Sequence, residues 1–199
     1  MKLRNVKKWV LALTAALTAL IGQGTAEAST IHEVHKGESL WILGQQYGVS
    51  INELKQANNK YGNIIHIGEK LTIPTAAFTS EEQALLEKLV EAEAKGEPFA
   101  GKVAVATVVL NRVDSSDFPD TIKEVIYEQT GGSYAFTPVQ NGAIHNTPSN
   151  ETKRAVAEAI ATRGGGQESL FFYNPKTAQS DWIKTRPVTA VIGNHTFAK

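Results

Sequence analysis

Residues 80–113 read SEEQALLEKLVEAEAKGEPFAGKVAVATVVLNRV. Leu85, Leu86, Leu89 and Val90 recur at the three- and four-residue spacing of a helix face that packs on a core, and the next position on that stripe is Glu93. Burial disfavours the ionised carboxylate, so an acid held there tends to stay protonated near neutral pH and suits general-acid work. Glu91 falls about 200° around the helix from Glu93 and reads as a solvated surface charge. Glu97 lies one turn on, but Pro98 disfavours helical geometry there and Gly96 helps the chain turn, so Glu97 is expected to structure the turn or line a cleft. Spacing alone leaves a second account of Glu93 open: a structural carboxylate paired with Arg112 or another base.

Around this stretch the pattern stays helical. Ser80-Glu81-Glu82-Gln83 has the form of a capping box, and Gly96 and Pro98 end the helix after about Lys95. Residues 103–113 are apolar on nearly every side, too short to span a bilayer and right for a helix inside a core. Asp120 can cap a third helix through Glu128, and Asn150 a fourth through Arg163, which Gly164-Gly165-Gly166 ends. Leu170-Phe171-Phe172-Tyr173 and residues 188–192 are β-like. Residues 80–199 therefore read as an α+β domain, mostly helical with a small C-terminal β-sheet.

Upstream, residues 31–74 form a separate unit. A short β-like start is followed by helices over residues 39–47 and 50–58 and by a closing strand near residues 70–73. Glu38 or Ser39 caps the first helix, Gly48 stops it, and Ser50-Ile51-Asn52-Glu53 is a capping box for the second. This βααβ unit needs few anchors, read as Val34, Leu40, Trp41, Ile42, Leu54, Leu71 and Ile73. Residues 75–79 are short and polar enough to be a hinge, so the domain boundaries expected are 29–75, a linker at 76–79, and 80–199. Residues 1–28 carry a basic start, an apolar run over residues 9–21 and Ala26-Glu27-Ala28, the form of a secretory signal peptide; a retained N-terminal anchor is the alternative.

Without residues 1–28 the chain has 16 basic and 19 acidic residues, a formal charge of −3, so a polyanion such as nucleic acid is not an expected partner. No cysteine is present, which excludes disulfides, thiolate zinc sites and a cysteine nucleophile. His32, His35, His66, His145 and His195 contain no H-E-x-x-H pair, so neither a metal nor a cofactor is expected. Gly131-Gly132 and Gly164-Gly165-Gly166 lack the strand and Lys-Ser/Thr context of phosphate loops and read as turns.

Two resemblances add to this reading. Val34-His35-Lys36-Gly37-Glu38-Ser39-Leu40-Trp41-Ile42, Tyr47-Gly48-Val49-Ser50, Leu54-Lys55-Gln56-Ala57-Asn58 and Ile67-Gly68-Glu69-Lys70-Leu71-Thr72-Ile73-Pro74 resemble the LysM carbohydrate-binding module. That resemblance implies a shallow groove for N-acetylglucosamine-containing glycans at Gly37, Glu38, Ser39 and Leu40 and at Asn63, Ile64, Ile65, His66 and Ile67. Any one of these residues could instead simply hold the small fold.

The segment from Val90 through Glu97-Pro98-Phe99, with Gly101-Lys102-Val103-Ala104-Val105-Ala106 and Val109-Leu110-Asn111-Arg112-Val113, resembles the spore cortex-lytic and cell-wall hydrolase family. Phe118-Pro119, Phe136-Thr137-Pro138-Val139, Leu170-Phe171-Phe172-Tyr173-Asn174-Pro175, Trp182 and Ile192-Gly193-Asn194-His195-Thr196-Phe197 continue the match. It implies a lysozyme-like fold with Glu93 as catalytic acid. Two departures stand out: that family often has Gly at the place of Glu91, whose charge would raise the Glu93 pKa if close, and the QTGGSY stretch over residues 129–134 is longer than the usual loop.

From the matched stretches, Glu97, Phe136, Gln140, Tyr173, Asn174, Trp182 and His195 have the aromatic and hydrogen-bonding chemistry to bind a glycan strand, with Phe171 and Phe172 assigned to packing. Asp117, Glu128, Glu151 and Asp181 are possible second carboxylates, each also explained by capping or solvation. Ordinary glycoside hydrolysis uses two carboxylates, whereas the resemblance implies a lytic transglycosylase, in which one glutamate serves as acid and then base. The expectation is a secreted, monomeric peptidoglycan-degrading enzyme of the bacterial wall or spore cortex, not membrane-bound once the leader is removed. A hydrolytic muramidase or glucosaminidase, and a non-catalytic peptidoglycan-binding wall or spore protein, are the alternatives.

Overall fold

The computed structural model describes residues 29–199, so the signal peptide expected over residues 1–28 lies outside the described residues. No helix among the described residues is long and apolar enough to cross a membrane. The protein is α+β, rich in helix with small sheets.

In the first unit, β1 (Thr30–Glu33) pairs antiparallel with β2 (Lys70–Ile73), from Thr30 opposite Ile73 to Glu33 opposite Lys70. Between them lie α1 (Leu40–Tyr47), capped by the Ser39 hydroxyl and stopped at Gly48 with φ 66°, and α2 (Ile51–Ala57), opened by the Ser50/Glu53 capping box. Only a residue without a Cβ adopts that left-handed stop at no steric cost. The core comprises Val34, Leu40, Leu43, Val49, Leu54, Leu71 and Ile73. Trp41 and Ile42, expected as anchors, are 41% and 37% exposed. Leu40, Leu43, Gly44 and Tyr47 share the inward stripe of α1 by their three- and four-residue spacing, and Trp41 and Ile42 fall off it.

The second unit is built on α3 (Ser80–Ala94) and α4 (Phe99–Val113), with α5 (Ile122–Tyr127) and α7 (Asn150–Ala161) packed around them. Leu86, Leu89 and Val90 of α3 meet Val105, Val108 and Val109 of α4, Ile126 of α5 and Val156 of α7 in one apolar core. The caps are Thr79, Thr121 and Ser149, each one residue before the helix, where Ser80, Asp120 and Asn150 were expected. The QTGGSY loop is a hairpin, β3 (Gln129–Thr130) against β4 (Ser133–Tyr134), turned by Gly131 and Gly132 at φ 62° and 83°. A turn with positive φ at both central residues suits the strand twist and selects glycine. Then come α6 (Thr137–Asn141), β5 (Phe171–Tyr173), α8 (Asp181–Lys184), β6 (Val188–Ile192) and β7 (His195–Ala198). The sheet order is β5-β7-β6, all antiparallel, with β7 buried in the middle.

The two units touch. α1 lies on α7, where a Cβ on Gly44 would be 3.1 Å from the Ala161 Cβ. The Asn52 Nδ2 donates to the carbonyls of Gly164 at 3.2 Å and Arg163 at 3.4 Å.

Candidate active site

Glu93 occupies the last turn of α3 and lines a cavity of about 410 Å³ together with Arg112, Ala135, Phe136, Thr137, Phe172, Tyr173, Asn174, Thr177 and His195. Each wall has its own support. Arg112 comes from the end of α4, Phe136 and Thr137 from the start of α6, Phe172 and Tyr173 from β5, and His195 from β7. Burial alone pushes the Glu93 carboxyl up to about 7, because no cation or donor offsets its desolvation.

Glu91 behaves in the opposite way, and here the sequence expectation is corrected. It is 6% exposed, not a surface charge. Its Oε2 accepts from the Ser149 amide at 3.1 Å, the Ser149 hydroxyl at 3.0 Å and the Thr152 hydroxyl at 2.6 Å. These donors, led by Thr152, hold its carboxyl below the ordinary range despite burial. The N-terminus of α7, favourable to an anion, covers the face of α3 that a helical wheel leaves to solvent. Glu91 is thereby occupied with joining α3 to α7 and is not among the causes that raise Glu93.

Arg112 does not pair with Glu93. Its Nε donates to the Leu170 carbonyl at 2.8 Å, and its guanidinium lies 4.9, 5.2 and 5.6 Å from the ring centres of Phe118, Phe136 and Phe171. Cation–π contact with three rings replaces the ion pair. His195 is 8% exposed, packs edge-on to Phe172 with ring centres 5.3 Å apart, and has a buried Nδ1 without a partner among the described residues. Burial pushes its pKa down, against the opposing pull of Glu97, so the imidazole is neutral at neutral pH.

Of the residues singled out from sequence, the fold gathers Glu93, Phe136, Tyr173, Asn174 and His195 on one cavity. Glu97, Gln140 and Trp182 stand outside its wall. Glu97 accepts from the Asn194 amide at 2.9 Å and the Asn194 side chain at 3.0 Å, tying α4's entry to the β6–β7 turn. Gln140 is exposed on α6. Trp182 packs edge-on to Phe171, 5.2 Å between ring centres, with Arg186 over its own ring. Arg112, Ala135, Thr137, Phe172 and Thr177 complete the wall and were not singled out as site residues. A charge inside the apolar run of α4 was a signal for Arg112 of the same kind that marked Glu93. Phe172 faces the cavity although its neighbours in the sheet suggested packing alone.

Among the described residues, no other carboxylate lines the cavity. Glu151 pairs with Lys102 at 2.7 Å and Asp181 with Lys184 at 3.2 Å. A single protonatable carboxyl in a cleft walled by aromatic and amide groups is the equipment for general-acid proton transfer to a bound polar ligand.

In the first unit, Gly68 donates to Val34 at 2.8 Å, which sets the loop after β1 beside the loop before β2. Asn63, Ile64, His66 and Ile67 are exposed there, with Ile64 and Ile67 at 73% and 71%. Leu40, expected in the groove, is 1% exposed and belongs to the core, and Ile65 leans on the same core. Gly37 is exposed, while Glu38 and Ser39 are partly covered.

The cell wall hydrolase model matches residues 96–198, and the LysM domain model matches residues 32–74. The chain belongs to the cell wall hydrolase family. Within that family it is 43% identical over 122 residues to a spore cortex-lytic enzyme of Bacillus cereus, covering 61% of this chain and 46% of that one. A spore cortex-lytic enzyme of Bacillus subtilis is 40% identical over 122 residues, covering 61% and 39%. The chain thus spans less than half the length of either relative. Among solved structures, the catalytic domain of the germination-specific lytic transglycosylase SleB from Bacillus anthracis is 41% identical, covers 62% of this chain and 98% of that one, and superposes with a TM-score of 0.56.

Proposed function

We propose that the protein is a lytic transglycosylase that cuts peptidoglycan between N-acetylmuramic acid and N-acetylglucosamine, with Glu93 as both acid and base. The observation that carries this reading is the lone cavity carboxyl with its pKa near 7. Protonated Glu93 donates to the glycosidic oxygen as the bond to the muramic C1 breaks. The resulting carboxylate then takes the proton of the muramic C6 hydroxyl, whose oxygen bonds to C1 and closes a 1,6-anhydro ring. Water is not consumed, so no second carboxylate is required.

Tyr173, Asn174, Phe136 and the neutral His195 have suitable chemistry to hold the sugars, and Arg112 places a cation in the same wall. We assign residues 29–75 to glycan binding, residues 80–199 to cutting, and the exposed loop residues Asn63 and His66 with Gly37, Glu38 and Ser39 to the groove. The expected place of action is outside the cytoplasmic membrane, on wall or cortex, as a monomer. Incubation with purified peptidoglycan tests the reading: wild type should release soluble glycan fragments and Glu93→Gln should not. Full release by Glu93→Gln would remove Glu93 from the reaction; no release by wild type, with binding intact, would make the protein a peptidoglycan binder.

A further inference from the structure

Away from the cleft, His32, His35 and Glu38 converge where β1 leads into α1. The His32 Nε2 lies 2.8 Å from the Glu38 Oε2, and the His35 Nδ1 lies 3.6 Å from the same oxygen. One donor atom from each of the three lies within 4.8 Å of the others. We propose that these side chains form a site for one divalent transition-metal ion of the zinc class, its remaining position filled by water.

The donor set selects the ion. Two imidazole nitrogens and one carboxylate oxygen suit zinc and its neighbours, whereas calcium and magnesium take oxygen ligands almost exclusively. Three protein ligands and an open position is a familiar zinc arrangement. A further contact fits the same role: the His32 Nδ1 lies 3.0 Å from the Tyr47 hydroxyl. With Nε2 given to the metal, Nδ1–H donates to the phenol oxygen and fixes the tautomer and ring orientation, as partners of metal-bound histidines do.

Burial supplies both preorganisation and access. The side chains of His32 and Glu38 are 9% and 18% exposed, and the His35 amide also donates to the Glu38 Oε2 at 2.7 Å, so two ligands are held in place. The His35 side chain, 74% exposed, is free to close over an ion arriving from solvent. Gly37, at φ 92°, turns the chain so that Glu38 comes back toward His35. A search for two histidines at helical spacing overlooks this set, because a strand end and a turn, not a helix, bring it together. Bound metal would pin β1 to the start of α1.

The test is a calorimetric titration of zinc ion into the metal-stripped whole chain near pH 7.5, beside four variants. Wild type should bind one zinc ion per chain. His35→Ala should weaken binding by at least about tenfold and Tyr47→Phe by about tenfold, while His66→Ala and His145→Ala leave it unchanged. Because the His35 side chain is exposed, an unchanged melting temperature of His35→Ala without zinc separates ligand loss from misfolding. Absence of saturable zinc binding overturns the proposal. So does binding undiminished in His35→Ala, or binding lost in His66→Ala or His145→Ala instead.

Discussion

Glu91 and Glu93 are two residues apart on one helix, yet their carboxyls are driven in opposite directions. Glu93 is raised to about 7 by desolvation with no offset, while Glu91 is lowered by hydroxyl and amide donors at the start of α7. If Glu93 is the acid, Glu93→Gln should lower fragment release by about 10²- to 10⁴-fold, and the wild-type rate should fall as pH rises through about 7. Stability should fall over the same rise in pH. A carboxyl whose folded pKa exceeds its ordinary 4.5 binds its proton more tightly in the native state, so ionising it between those values weakens the fold, by at most about 3 kcal/mol. Glu93→Gln should therefore melt higher than wild type at pH 8 and equally at pH 4. Glu91, with its pKa depressed, contributes stability above the ordinary carboxylate range that is lost as pH falls through its folded value. Glu91→Ala leaves buried donors unpaired and should cost about 1–3 kcal/mol at pH 7, read from denaturant melts, with the deficit shrinking in acid. Sequence periodicity located Glu93 because the α3 stripe is local. It misplaced Glu91 because the residues that bury it, Ser149 and Thr152, arrive from about 60 positions downstream.

At the scale of elements, the helices follow from apolar spacing and capping chemistry, with the caps displaced by one residue. Thr79, Thr121 and Ser149 accept the capping hydrogen bonds, and each stands beside another polar residue that could have served, Ser80, Asp120 and Asn150. The sheet was legible in β5 and β6, whereas β7 takes its strand geometry from lying between them. The cavity wall was partly legible for the same reason: motifs identified the segments that approach Glu93, and only packing decides which side chain of each segment faces inward. The β6–β7 turn makes this dependence testable. Gly193 has φ 59°, and a Cβ there would collide with the Glu97 carboxylate that holds Asn194. Gly193→Ala should lower the melting temperature and reduce fragment release, because His195 begins the strand that this turn positions. Normal stability and full activity in that variant would show that Glu97 and the turn do not set the cleft.

At the scale of the molecule, on the proposed function, a glycan-binding unit joined to a cutting unit would raise the local concentration of substrate without a new catalytic contact. Here the joint is also packed. Gly44 sits where a Cβ would meet the Val49 carbonyl at 2.8 Å and the Ala161 side chain at 3.1 Å, so a larger residue forces α1 away from α7. Gly44→Leu should expose residues 75–79 to faster proteolysis and separate one melting transition into two; an unaltered cleavage pattern would mean that the contact adds nothing to the joint. None of this packing was legible in a short polar segment that resembles a hinge, since it depends on two faces distant in sequence. The central claim, one carboxyl acting as acid and then base, is tested most directly by mass spectrometry of fragments released from vegetative wall and spore cortex by residues 29–199, beside Glu93→Gln. Anhydromuramic ends, lighter by one water than hydrolytic products and absent with the variant, are the predicted result. Reducing ends would contradict it and require a second carboxylate that the cavity wall does not contain.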